Sequence, residues 1–392
     1  MLVLKYDAAI AGAPSQYGDA VDWLEDSNGA HLQGFPKANA GFTEAGDLLN
    51  AALDTWLTKR GQSDKPVIVM VHGYQFDPGN VSGNGTSPDS PLTSIYGTPP
   101  AVDYHLSWLP LVGECDNNGA APAENAIAFC YKSEAGLAEY GDAGWVNSYQ
   151  YAALDQSPLA ARALAAILVA LSERVPKMRI LAHSLGTRTT SQAIRLGKAR
   201  IRPSLDRVLL LDGAEFSVDA AASFMGVPFD VFSFTNRSDL VLRIGGEQAC
   251  HPVRRVGTMG ACTIGYSGLG GNDRWLDLQL DNDKLKQWLA SGLAPDGSPY
   301  AIDGQAEEES HPLAGLDHWC CYTNDGNRAL VSDLLMNDVM TVDRMKAFGV
   351  PVGTDSVTYG TFNGQPIPPT PQSKVERQRL LAQDDTVGGG GG

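Results

Sequence analysis

Between Thr43 and Arg60 the apolar residues Leu48, Leu49, Ala52, Leu53, Trp56 and Leu57 recur three and four positions apart, the spacing of a helix with one buried face. Arg60-Gly61 ends that pattern. After Lys65-Pro66 the run V-I-V-M-V at Val67 to Val71 has no polar interruption, as expected of a strand covered on both faces in a parallel sheet. It stops at His72-Gly73-Tyr74. A second strand is predicted at Ala126 to Tyr131. Ser157-Pro158 then reads as a helix start, with a capping hydroxyl and a proline at the first helical position. The helix from Leu159 to about Leu171 is apolar nearly all round, as befits a helix lying on a sheet. Met178 to Ala182 predicts the next strand, Leu185 to Lys198 a helix, and Val208 to Leu211 and Asp230 to Phe234 two further strands. Strands alternating with helices of 12 to 15 residues are βαβ units, so the predicted fold class is α/β, a mainly parallel sheet with helices on both faces.

Two stretches break the alternation. Residues 77–124 are rich in Gly, Pro, Asn and Ser, yet carry Tyr96, Tyr104, His105 and Trp108; residues 245–316 are again rich in Gly and Asn, with one helix predicted at Asp283 to Ser291. Both are read as lid-like insertions that cap a single domain spanning residues 1–362. Residues 363–392, from N-G-Q-P-I-P-P-T-P to five terminal glycines, hold too little apolar surface to fold alone and are expected to form a flexible tail.

Composition narrows the function classes. Hydrophobic residues make up 43% and charged residues 19% of the 392, and no apolar run approaches the roughly 20 residues needed to span a bilayer, so a soluble protein without stable membrane insertion is expected. With 29 Lys and Arg against 45 Asp and Glu the formal charge is −16, which disfavours nucleic acid as a partner. Met1 to Ile10 lacks the basic and apolar regions of a secretory signal, which makes the cytoplasm the default location. None of the six cysteines falls in a C-x-x-C pair; Cys250 and Cys262 could close a loop, but buried free thiols are the expectation. No metal set emerges either. Asp277, Asp281 and Asp283 lack the EF-hand spacing, and Cys250-His251 with Cys262 lacks a fourth ligand. Asn80, Asn84 and Asn236 stand in N-x-S or N-x-T triplets that carry no information without a secretory signal. Oligomeric state stays open.

Candidate chemistry centres on Ser184 in R-I-L-A-H-S-L-G-T, between a predicted strand and a predicted helix. Small residues two before and two after it, Ala182 and Gly186, let strand and helix approach, and the turn would expose the hydroxyl at the carboxyl end of the sheet. This is a nucleophile elbow with alanine in place of the first glycine, and here the chain resembles the α/β-hydrolase family, in particular its bacterial serine esterases and lipases. His72-Gly73-Tyr74, after a buried strand, matches the place where that family keeps half of its oxyanion hole. The resemblance implies oxyanion donors from the backbone amides of Tyr74 and Leu185, with His72 a structural brace of the loop. It also implies an acid and then a histidine following the serine in the chain.

Two aspartates stand at strand ends, Asp212 directly after Val208 to Leu211 and Asp239 shortly after Asp230 to Phe234. The family's usual order favours Asp239, which leaves Asp212 as a loop anchor beneath the elbow or as the alternative acid. Of the histidines after both acids, His251, His311 and His318, the last sits in a loop before a predicted helix from about Asn327 and is the expected base. His183 is expected to point away from its neighbour. The reaction implied is cleavage of a carboxylic ester through an acyl-enzyme, with no cofactor and a small-molecule ester as partner. Thioesterase or amidase chemistry uses the same machinery, and a non-catalytic binding or scaffold protein of the same fold remains the alternative from another class.

Overall fold

The computed structural model describes residues 1–7, 21–36, 41–61, 63–77, 90–120, 123–133, 152–239, 241–242, 263–269, 273–292, 296–305, 317–350, 361–362 and 365–366. Asn80, Asn84, Cys250, His251, Cys262 and His311, and nearly all of the 363–392 tail, lie outside the described residues.

The apolar runs form the strands predicted from them: β4 (Val67–Val71), β5 (Ala126–Tyr131), β6 (Met178–His183), β7 (Leu205–Leu211) and β8 (Asp230–Thr235). Upstream lie β1 (Leu2–Asp7), β2 (Val21–Asp26), β3 (His31–Pro36) and the helix α1 (Asp47–Arg60). The other helices against the sheet are α2 (Ser157–Ser172), α3 (Leu185–Ile201) and α4 (Ser217–Phe224). Downstream come β9 (Trp275–Gln279), α5 (Asp283–Leu289), α6 (Cys320–Thr323), α7 (Asp325–Met336) and α8 (Val342–Ala347).

The nine strands make one mixed, mostly parallel sheet in the order β3-β2-β1-β5-β4-β6-β7-β8-β9. Pairing is parallel from β1 to β9 and antiparallel only at β1–β2 and β2–β3. Alternate residues serve two cores, because successive side chains on a strand point to opposite faces. Val67, Val69, Val71, Ile180, Ala182, Val208 and Leu210 join the core under α1, α2, α3 and α4, whereas Ile68, Met70, Leu181, Leu209 and Leu211 join the other. Polar interruptions are few because both faces are covered.

Several features differ from the sequence reading. The strands β1, β2 and β3 were not predicted, since their alternating pattern is short and their identity as strands rests on pairing with one another and on β1 pairing with β5. The 90–116 part of the first insertion is built into the second core, with Trp108 fully buried and Tyr96, Leu109 and Val112 beside it. Within the second, Trp275–Gln279 is the ninth strand of the sheet, so this part of the stretch is sheet edge and not cap. Ser157 is also not the cap of α2; the cap position is Gln156, and the Ser157 hydroxyl bonds the Thr189 hydroxyl of α3. The cysteines Cys115, Cys130, Cys320 and Cys321 are free and buried, as expected.

Candidate active site

The strand order puts the candidate residues at a topological switch point, where the general rule for open α/β sheets expects a crevice. The chain leaves β4 toward β5 on one side and leaves β6 toward β7 on the other, and at the carboxyl ends of such diverging neighbours the loops part. His72-Gly73-Tyr74 follows β4 there and Ser184 follows β6, with Val71 and Ala182 directly paired across the two strands.

Ser184 has φ 51° and ψ −122°, a backbone conformation rare for a residue with a side chain. The strain is held by several hydrogen bonds. Its amide donates to the Leu211 carbonyl at 2.9 Å, and its carbonyl accepts from the Ala214 amide at 3.0 Å and the Thr187 hydroxyl at 2.7 Å. Glycine is required around it: a Cβ on Gly186 would lie 2.4 Å from the carbonyl oxygens of Val71 and His72, and one on Gly73 would lie 2.8 Å from the Ser184 Cβ. Gly186 thus lets α3 start against the end of β4, which brings the first turn of α3 to the crevice.

Four non-glycine residues among those described have positive φ: Gln75, Ser184, Asp212 and Asp317. One follows Tyr74, one is the candidate nucleophile, one follows β7, and one precedes His318. Strained backbone of this kind costs on the order of 1–3 kcal/mol per residue and persists where the surroundings enforce it, commonly at functional sites.

The base and acid candidates are joined. His318 Nδ1–H donates to Asp239 Oδ2 at 2.6 Å, with both side chains buried, and Asp239 Oδ1 accepts the Leu242 amide at 2.9 Å. His318 is also tied to the elbow, because His183 Nε2–H donates to its carbonyl at 3.0 Å and the two rings lie 4.7 Å apart. His183 therefore links the residue before Ser184 to the loop carrying the base.

The segment around His318 is braced by Asn236, whose amide donates to the Asp317 carbonyl at 3.1 Å and to the Gly304 carbonyl at 2.7 Å. Asn236 is fully buried and was read from the sequence only as part of an N-x-S triplet; nothing local signals its role, because its partners lie 68 and 81 residues away. Further along, the carbonyls at the end of α7 are met by buried arginines of the sheet, Arg179 on Leu335 at 2.6 Å and Arg207 on Leu334, which fixes the helix that follows the base.

His72 is a brace. Its Nδ1–H donates to the Gly73 carbonyl at 2.9 Å, its Nε2 accepts the Tyr131 amide at 3.0 Å, and its ring stacks on Tyr131 at 4.6 Å. Both nitrogens are used by a neutral ring, and burial lowers its pKa to about 4. Tyr74 packs with Leu185, Ala152, Ala153, Ala214, Leu242 and Tyr266 in a small apolar cluster, so the two residues proposed as oxyanion donors belong to one packed unit. The amides of a helix's first turn have no intrahelical acceptor, which suits Leu185 at the start of α3 to an anion.

Asp212 lies close to the His318–Asp239 pair, beside His183 and near Asp239. It is fully buried, with no donor but the Cys321 thiol toward its carboxylate among the described residues, and ligand atoms of Asp212, His183 and Cys321 lie within 4.8 Å of one another. Burial and then the neighbouring Asp239 push its carboxyl well above the usual carboxylate range.

No protein-family model and no curated protein matches the chain. Among solved structures, Aspergillus fumigatus lipase B matches with 12% identity over 76% of this chain and 71% of its own, at a TM-score of 0.32, a likeness too remote to bear on activity. No helix among the described residues is long and apolar enough to cross a membrane.

Proposed function

We propose that the chain is a serine hydrolase of the α/β-hydrolase type that cleaves carboxylic esters. The observation that carries this reading is the His318–Asp239 pair at 2.6 Å, tied through His183 to the strained turn that presents Ser184. In this mechanism Asp239 holds the imidazole with its proton on Nδ1, leaving the Nε2 lone pair to take the proton of the Ser184 hydroxyl. The serine oxygen attacks the ester carbonyl, and the resulting oxyanion is held by the amides of Tyr74 and Leu185, a contribution on the order of 10²–10³ in rate per donor. His318 gives its proton to the departing alkoxide, and a water activated by the same ring then releases the acid and restores the serine.

The buried apolar cluster of Ala152, Ala153, Leu185, Ala214 and Tyr266, against which Tyr74 packs, gives the proposed oxyanion donors an apolar setting, in keeping with an apolar acyl group. We assign the choice of substrate to residues 77–124 and 245–316, the two stretches that break the alternation of strands and helices. No step calls for a cofactor.

The test is intact-mass labelling with a fluorophosphonate together with turnover of short activated esters. One added equivalent on the wild type, absent in Ser184→Ala and in His318→Ala, supports the reading. A wild type that neither labels nor turns over ester would overturn it in favour of a binding or scaffold protein, with Ser184 reduced to the start of α3.

A further inference from the structure

Behind the elbow lies a second cluster that the proposed hydrolysis does not use. His183 ends β6, Asp212 follows β7, and Cys321 belongs to α6, just after His318. A ring nitrogen, a carboxylate oxygen and the thiol sulfur from these three residues lie within 4.8 Å of one another, and all three residues are buried. We propose that His183, Asp212 and Cys321 form a binding site for a divalent transition-metal ion of the zinc class, one that ties together the segments carrying Ser184 and His318.

The independent observation is the state of Asp212. It is fully buried, it is held at φ 42°, and among the described residues the one group that donates toward its carboxylate is the Cys321 thiol, itself a member of the cluster. A buried polar group left in this way is costly, and a bound ion is one way to offset the cost. The surrounding charge points the same way. After burial itself, the neighbours that disfavour a charged Asp212 are the carboxylates Asp239, Asp281 and Asp317, a negative field that a cation would relieve, whereas the Cys321 thiol donates to it.

The donor set selects the class of ion. One nitrogen, one sulfur and one oxygen suit zinc, cobalt or a similar borderline ion, whereas calcium and magnesium take oxygen ligands. Metal–ligand bonds of about 2.0–2.3 Å make the edges of a tetrahedral site about 3.3–3.8 Å, so side-chain rotations that draw the three atoms together by about 1 Å close the site. Three protein ligands leave the fourth position to water. Binding requires the thiolate and the carboxylate, so the Cys321 proton, and that of Asp212 where present, pass to solvent.

Such a site was not legible in the sequence because its members are separated by 29 and 109 positions, counted from their residue numbers. It does not depend on Ser184 being a nucleophile, and its test reads metal and not turnover. Full-length, untagged protein is stripped with a chelator, dialysed and titrated with Co²⁺, following the thiolate-to-cobalt charge-transfer absorption. The expected result is one equivalent per chain, retained in Cys115→Ser, lost as a charge-transfer band in Cys321→Ser, and weakened at least about tenfold in Asp212→Asn. Zn²⁺ is expected to raise the Tm of the wild type and not that of Cys321→Ser. No stoichiometric uptake by the wild type would overturn the proposal. So would an undiminished band in Cys321→Ser, which would place the ion on other thiols. Should Asp212→Asn fail to fold, Cys321→Ser, a near-isosteric change, decides the matter.

Discussion

His183 donates through Nε2 to the backbone carbonyl of His318 at 3.0 Å, so the residue beside the candidate nucleophile holds the loop of the candidate base. The bond joins the end of a strand to a loop 135 residues later and fixes their separation without a covalent link. Replacing His183 by Leu removes the donor while keeping bulk. Ester turnover is expected to fall at least about tenfold, the equivalent of one lost buried hydrogen bond, with much of it recovered in His183→Gln; kcat measured for both variants checks this.

The Asp239–His318 pair predicts a large and specific loss. Asp239→Asn keeps the shape but no longer fixes the Nδ1–H tautomer, and kcat is expected to drop by about 10³–10⁴ with the fold intact. Comparison of kcat with the far-ultraviolet circular dichroism of the same sample separates the two.

Gly186→Ala is expected to be severe, because the added carbon would fall 2.4 Å from two backbone oxygens that cannot move independently of β4. A loss of about 3 kcal/mol or more in unfolding free energy, or failure to fold, is the expectation. Urea denaturation read against wild type measures it. Gly61→Ala, where φ is 70° but nothing lies within 4 Å, should cost less.

His72 predicts a pH dependence. Its pKa is lowered from 6.5 unfolded to about 4 folded, so in that window the unfolded chain binds more protons. Its contribution to stability is therefore complete above about pH 6.5 and is lost as pH falls toward 4, amounting to about 3 kcal/mol at 1.36 kcal/mol per unit. Asp212, with its pKa raised, acts in the opposite sense, losing stability as pH rises through the acid range. The measurement is thus the difference in unfolding free energy between wild type and His72→Gln across pH 4–7, from which the Asp212 contribution cancels. A difference that does not change with pH would remove the neutral-brace account of His72.

Asn236→Ala should loosen the base segment. It removes donors from the Asp317 and Gly304 carbonyls and leaves both without that partner, a cost of about 2–4 kcal/mol at the usual value of buried hydrogen bonds. Denaturant midpoints and kcat should fall together.

The central strands and their helices were legible because both faces of the sheet are covered, and a short continuous apolar run such as Val67 to Val71, bounded by turn residues, is what a strand without a solvent face requires. Ser184 was legible for a local reason as well, since the small residues around it are demanded by the approach of α3 to β4. Choosing among the later histidines rested on their flanking loops and predicted helices, and choosing between the two aspartates on the order that the family resemblance implies. The hydrogen bond from His318 to Asp239 spans 79 residues and has no sequence signal of its own.

What the sequence by itself determined is therefore the α/β class, the positions of the five central strands β4 to β8 and the turn at Ser184, all set by spacing within a dozen residues. Only the tertiary structure decided that β1, β2 and β3 extend the sheet, that Trp275–Gln279 closes its other edge, that Asn236 and His183 hold the base segment, and that Asp212 faces Cys321. The physical reason is the same in each case. Hydrophobic periodicity records which face of an element is buried, whereas pairing partners and buried polar contacts depend on where distant segments meet once those faces have been covered.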